Sequence, residues 1–276
     1  MTRTVKQQSL KETLQSFHDF KQVSQQEAIT LSDQMVDHIG NPDPVLRDEL
    51  IYSGLATWIM EGKFDKQYFC KLFNQVLTDQ YLFYKIGQKD DDSVFTRSFS
   101  VLLLPPIIEV HKKDSFLSKE ELFQGLEAVT AYLKQEKDVR GYVPEKGWAH
   151  SIAHAADALE SFASLDEIEE QHLIPSFEAI KTAISRNIPY HHGEDERLIH
   201  AIETMLPKVP DCFFIEWIQS FENILDTVES PEDSVVHFNV KTFLRSLYFR
   251  FVWKKEERYR DAIVDTLESI DKIGAY

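Results

Sequence analysis

Glycine and proline are scarce, 9 and 10 among 276 residues. An all-β fold with many tight turns needs more of both, whereas abundant Leu, Glu, Lys and Gln favour helices. Cysteine is scarcer still. Cys70 and Cys212 lie far apart inside apolar helical patterns and read as buried free thiols, with a disulfide as the minor alternative. Positive charge is also short: 30 Lys and Arg face 46 Asp and Glu, for a formal net charge of -16. That surface repels phosphate backbones and no Lys/Arg block offsets it, so no nucleic acid and no membrane partner is expected. The longest apolar run, Val101 to Ile108, is too short for a bilayer and contains Pro105-Pro106. The first residues, Met1-Thr-Arg-Thr-Val-Lys-Gln-Gln8, lack the apolar segment of a leader peptide. A cytoplasmic, acidic protein is the default expectation.

What remains is an ordinary globular composition, 43% hydrophobic and 28% charged. Apolar residues recur at helical spacing, beginning with Leu10, Leu14 and Phe17 and continuing with Ile29, Met35, Val36 and Ile39. Gly40-Asn-Pro-Asp-Pro44 stops that second helix; Pro44 fits the first turn of the next, with Asp43 as its cap. Gly62 and Asp65 mark a stop and a start, and the new helix is predicted to end near Gly87. A helix from Ser93 to Lys112 is predicted to kink at Pro105-Pro106, and Ser118-Lys-Glu-Glu121 is a capping-box signature. Later helices are predicted over 147–163 and 166–187, from His191 to before Pro207, from an Asp211 cap, and as a last pair beginning at Pro231 and split near Lys254. No segment reads as a convincing strand.

Short connections between consecutive helices suggest stacked hairpins. Arg47, Arg97, Arg197 and Arg245 each fall early in the first helix of a pair, about fifty residues apart with one slot skipped, and Asp43, Asp92 and Asp195 precede three of them. The pattern is weak, because Arg is common in helices. The expected architecture is one all-α domain over residues 1–276, a HEAT-like α-α superhelix of about five stacked helix pairs.

The skipped slot holds the least ordinary stretch, Asp138-Val-Arg-Gly-Tyr-Val-Pro-Glu-Lys-Gly-Trp-Ala-His-Ser-Ile-Ala-His-Ala-Ala-Asp157, in a central motif spanning 138–163. A Gly/Pro/Tyr loop leads into a helix with almost no charge. At about 100° per residue from His150, His154 falls at about 40°, Asp157 at about -20° and Ser161 at about 20°. Trp148, Ile152, Ala155, Leu159 and Phe162 gather on the opposite, core face. An exposed face ordinarily carries Lys and Glu, so this polar face is expected to be screened, lining a groove or lying under a loop.

Several readings of it stand. His154 and Asp157 can pair at i,i+3 while the histidines bond to loop carbonyls, a purely structural role. The face can hold a protein, a peptide or a small-molecule ligand. His150 and His154, at i,i+4, can bind zinc. Asp157 lies about 10 Å along the axis from His150, so it would support His154, and a third ligand would come from His191, His192, Glu194 or Asp195. A His–Asp pair can also serve acid/base catalysis in a hydrolase-like enzyme. No His-Glu-x-x-His pattern or recognisable nucleophile is present. In the preceding loop, Arg140, Tyr142 and Trp148 are typical recognition side chains that can equally lock the loop to the core. Arg140, Tyr142, Trp148, His150, His154 and Asp157 are thus the candidate binding residues, in a binding or interaction module of unknown ligand or, alternatively, in a metal-dependent or His/Asp-dependent enzyme.

The stretch Arg140 to Asp157 resembles the signature of an uncharacterised bacterial family, domain of unknown function 2785, matching it at Arg140, Gly141, Gly147, Trp148, His150, His154 and Asp157. Asn41-Pro-Asp-Pro-Val-Leu-Arg-Asp-Glu49, Asp92-Ser-Val-Phe-Thr-Arg-Ser-Phe99 and Gly193-Glu-Asp-Glu-Arg197 are similar too, and beyond about residue 205 the likeness fades. The resemblance implies an all-helical, HEAT-like fold and carries no activity.

Overall fold

A computed structural model of the chain describes residues 3–225 and 234–273. Among the described residues the protein is all-α apart from one small hairpin. It divides into two compact units, residues 1–162 and 163–276.

The first unit contains α1 (Arg3–Gln15), α2 (Gln25–Asp37), a wide helical segment Val45–Tyr52 running into α3 (Ser53–Met60), α4 (Lys66–Val76), α5 (Ser93–Leu102), α6 (Leu104–Lys113) and α7 (Lys119–Gln135). It ends with strands β1 (Tyr142–Val143) and β2 (Gly147–Trp148) and helix α8 (Ser151–Ala163). Local chemistry sets these boundaries. Ser24 and Ser118 each close a reciprocal capping box, with Glu27 and Glu121. Asp43 accepts from the Val45 and Leu46 amides, 3.0 and 3.5 Å, and Asp65 from Tyr68 N, 2.7 Å. The predicted bend near Pro105-Pro106 is a break at Leu103, where prolines cannot supply the amides a continuous helix would use. Ser93–Lys113 is long and apolar enough to cross a membrane by length and composition, but it forms these two core helices, and 67% of its apolar window is buried.

Three features depart from expectation. α4 stops at Val76, because the following residues close on themselves through Leu82 N to Val76 O and Tyr81 N to Thr78 O, and Lys85 and Gly87 take left-handed backbone angles. The motif contains strands: Tyr142 pairs with Trp148 and Val143 with Gly147 in antiparallel register. Helix α8 begins at Ser151, not 147, so Trp148 is on a strand rather than on the helix's core face.

The second unit contains α9 (Glu170–Ile184), α10 (Glu194–Met205), α11 (Asp211–Gln219), α12 (Glu222–Leu225), α13 (Ser234–Trp253) and α14 (Arg260–Ile273). Its core is aromatic: Phe177, Phe214, Trp217, Phe221 and Phe243 are buried. The Trp217 ring centroid lies 5.3 Å from that of Phe177, 5.5 Å from Phe214 and 5.0 Å from Phe221. Asp211 does not cap α11 through its side chain as expected; that carboxylate accepts instead from Arg258 Nη1 at 2.8 Å and Tyr259 Oη at 2.5 Å. The predicted start at Pro231 lies outside the described residues. Both cysteines are free, but Cys212 is exposed and Cys70 only half-buried. The arginine pattern does not persist along the chain: Arg47 and Arg97 are buried, Arg197 and Arg245 exposed.

Candidate functional site

The site is assembled from the C-terminal end of α7, the hairpin and the start of α8, against α5 and the segment before α3. Glu136 organises it. It is the C-cap of α7, where the helix dipole disfavours a carboxylate. The compensation is Arg97 on α5, whose Nε and Nη2 bind the two carboxylate oxygens at 2.6 and 2.8 Å, both side chains fully buried. Glu136 Oε1 also accepts from the amides of Lys137 and Asp138, each at 2.9 Å. Arg97 Nη1 donates to Tyr84 O at 2.9 Å and to Ser93 Oγ at 2.8 Å. Burial pushes this guanidinium's pKa down, and the Glu136 carboxylate more than offsets it, so the net shift is upward.

A second buried arginine holds the hairpin turn. Arg47 Nη2 donates to Lys146 O at 2.7 Å, Nη1 donates to Asn41 O at 2.9 Å, and Nε pairs with Asp48 at 2.7 Å. Its guanidinium lies over Phe95 and Phe99, 4.1 and 4.7 Å from their centroids. Burial is the main cause of its lowered pKa and of the raised pKa of Asp48. Lys146 Nζ grips both oxygens of Asp92 at 2.7 and 2.8 Å. Gly147 adopts φ 76°, and a Cβ there would come within 3.0 Å of Pro44 Cβ and 3.2 Å of Arg47 Nη2. Glycine is required at that position for both reasons.

The hairpin continues into α8 without slack. Ala149 N donates to Gly141 O at 2.8 Å and His150 N to Arg140 O at 3.1 Å. His150 sits just before α8 with φ 46°, and its carbonyl accepts the His154 amide at 2.9 Å, so it closes the first helical turn rather than sharing a regular helix face with His154.

On this frame the predicted residues separate into two groups. Tyr142, Trp148, His150 and His154 form a continuous row of rings. Tyr142 meets Trp148 edge-on at 5.1 Å, Trp148 stacks on His150 at 4.2 Å, and His150 meets His154 at 5.9 Å. The row ends on Phe99, 5.5 Å from His154. Tyr142 and Trp148 are 51% and 41% exposed; His150 and His154 are half-buried. His154 Nδ1 lies 3.3 Å from Ser98 O; a carbonyl only accepts, so Nδ1 carries a proton.

Arg140 stands apart from that row. Arg140 Nε and Nη2 bind buried Asp138 at 2.7 and 2.6 Å, and Nη2 also donates to Asp91 O at 3.1 Å, so this side chain braces the loop. Its pKa is raised, first by the Asp138 hydrogen bond. Asp157 is half-buried on α8, and its carbonyl accepts from Ser161 Oγ at 2.9 Å. His191, His192, Glu194 and Asp195 belong to the second unit, where buried Glu194 accepts the His192 amide at 2.9 Å. Among the described residues, no three His, Cys, Asp or Glu side chains converge as a metal site.

Sequence reasoning missed Glu136, Asp138 and the bracing role of Arg47. The signal for Glu136 was an acidic residue at a helix C-terminus, an unfavourable place without a buried cation. An all-α protein with a charge-braced aromatic hairpin is the class this geometry defines. The chain belongs to the family described as protein of unknown function DUF2785, whose model matches residues 82–249. That match holds the whole hairpin and its Arg97–Glu136 brace; it runs past residue 205, where the likeness was expected to fade, while the similar piece Asn41 to Glu49 lies before it. No curated protein and no solved structure matches the chain.

Proposed function

We propose that the protein is a cytoplasmic binding module that takes a protein, a peptide or a small molecule on the ring row Tyr142–Trp148–His150. The observation that carries this reading is the exposure of two large cross-strand rings on a hairpin whose turn is fixed by buried or paired charges. Exposed aromatic side chains held in one position lose little entropy on binding and make effective anchors. A wholly structural hairpin would gain more by burying them. A phage-displayed random peptide library panned on the wild type and on Tyr142→Ala/Trp148→Ala tests the reading. Enrichment of a consensus on the wild type that fails to bind the double variant supports it; equal binding to both refutes it.

A second reading, zinc held by His150 and His154, is favoured by the closeness of the two imidazoles, whose centroids lie 5.9 Å apart. Zinc titration followed by the chemical shifts of the two imidazoles tests it. Stoichiometric, saturable shifts lost in His154→Ala support it, and unchanged shifts refute it.

A further inference from the structure

A cleft of about 810 Å³ opens elsewhere in the first unit, between the end of α2 with the following loop and the turns after α4. Its lining includes Asp37, His38, Asp79, Tyr81 and Tyr84, and contains no lysine or arginine. The chain does not leave acidic groups unmatched everywhere: Asp33, one turn before Asp37, is held by Lys71 at 2.7 Å and by Tyr68 Oη at 3.0 Å. Asp37 and Asp79, in contrast, have no ion-pair partner among the described residues and are exposed.

The cleft is built rather than incidental. Gln75 Nε2 donates to Tyr81 Oη at 2.7 Å, and Tyr81 Oη donates to Asp37 Oδ1 at 3.1 Å, so a two-step relay orients one carboxylate oxygen and leaves the other for a guest. Burial raises the Tyr81 pKa and keeps the phenol a donor. Gly40 lets the loop lie directly on α5, since a Cβ there would fall 2.5 Å from both Thr96 N and Thr96 Cα. His38 Nδ1 lies 2.9 Å from Gln34 O and so carries the proton; its Nε2, a buried acceptor, has no donor among the described residues. Tyr84, 37% exposed, presents an aromatic ring, and Lys85 Nζ, outside the lining, lies 5.6 Å from its centroid.

Acceptors and aromatic faces in a lining without lysine or arginine define the complementary guest. We infer that this cleft binds a small organic cation with N–H donors, a protonated amine, between Asp37, Asp79 and Tyr84. This does not depend on the hairpin reading, and Trp148→Ala is expected to leave it intact.

Calorimetric titration with spermidine at constant ionic strength tests it. The wild type should show a saturable site, and Asp37→Asn/Asp79→Asn should weaken it at least about tenfold, the loss expected from removing charge-assisted contacts. The first of these changes keeps an acceptor oxygen for Tyr81, so folding should survive; Tyr84→Ala, at an exposed ring, gives an independent variant expected to weaken the same site. A control with equal charge change on exposed positions of α7, Glu120→Gln/Glu127→Gln, should bind as the wild type does. Absence of saturable binding, or equal weakening in the control, would overturn the inference, the latter because it reports only diffuse attraction to a chain of net charge -16.

Discussion

The two units hold themselves together by different means. Among the described residues, the first buries four charged side chains, Arg47, Arg97, Glu136 and Asp138, around the root of the hairpin. The second relies on interlocking rings, and its buried polar contacts are mostly neutral: Asn239 donates to Arg186 O and Ile188 O at 3.0 and 2.9 Å and accepts from Tyr190 N at 3.2 Å. Ring packing tolerates small shifts at little cost, whereas a buried ion pair is tolerable only in one geometry. Directional, costly interactions are thus concentrated where a loop must be held in a single position, beneath the exposed rings of Tyr142 and Trp148.

The sharpest way to break this contrast is Glu136→Ala. It leaves the Arg97 guanidinium buried without its partner and two amides without an acceptor, and should cost about 3–5 kcal/mol in denaturant unfolding. The neutral counterpart in the second unit, Asn239→Leu, strands one amide and two carbonyls and should cost about 1–3 kcal/mol. A larger loss for Asn239→Leu than for Glu136→Ala would reverse the distinction drawn between the units. Gly147→Ala forces a left-handed residue with a Cβ against Pro44 and should cost about 1–2 kcal/mol, with the melting temperature as the readout. Tyr142→Ala and Trp148→Ala remove exposed rings and should each change stability by less than about 0.5 kcal/mol. A large loss there would make the rings part of the core.

The smallest effect concerns pH. Arg258 hydrogen-bonds Glu256 and, with other contacts, holds its carboxyl down at about 2. A lowered folded-state pKa contributes stability that is present above the ordinary value near 4.5 and is lost as pH falls toward 2. In Arg258→Ala the Glu256 carboxyl should titrate near its ordinary value by NMR, and the small acid-range contribution should vanish.

Much of the fold was legible because its signals are local. Ser118 and Glu121 announce a capping box, and Pro105-Pro106 announces a break. The hairpin was harder, since each strand has two residues and the turn uses a left-handed Glu145 at φ 63°. Pro144-Glu-Lys-Gly147 between two aromatic positions was the available clue. Treating Trp148 and His150 as helical put Trp148 on the wrong side. The ring row could be read only in part from spacing, because the Tyr142–Trp148 contact depends on strand register. Glu136 was hidden for another reason: its partner Arg97 lies 39 residues away, a tertiary contact, and nothing in the spacing of the two identifies a pair.

The most direct measurement is amide hydrogen exchange at Ala149 and His150, the donors that tie the hairpin to α8. If the Arg97–Glu136 pair positions the hairpin, Glu136→Gln should accelerate exchange at both amides at least about tenfold, corresponding to about 1.4 kcal/mol. Amides in the aromatic core of the second unit should keep their protection. Unchanged protection at Ala149 and His150, or equal acceleration throughout the chain, would contradict a brace dedicated to the hairpin.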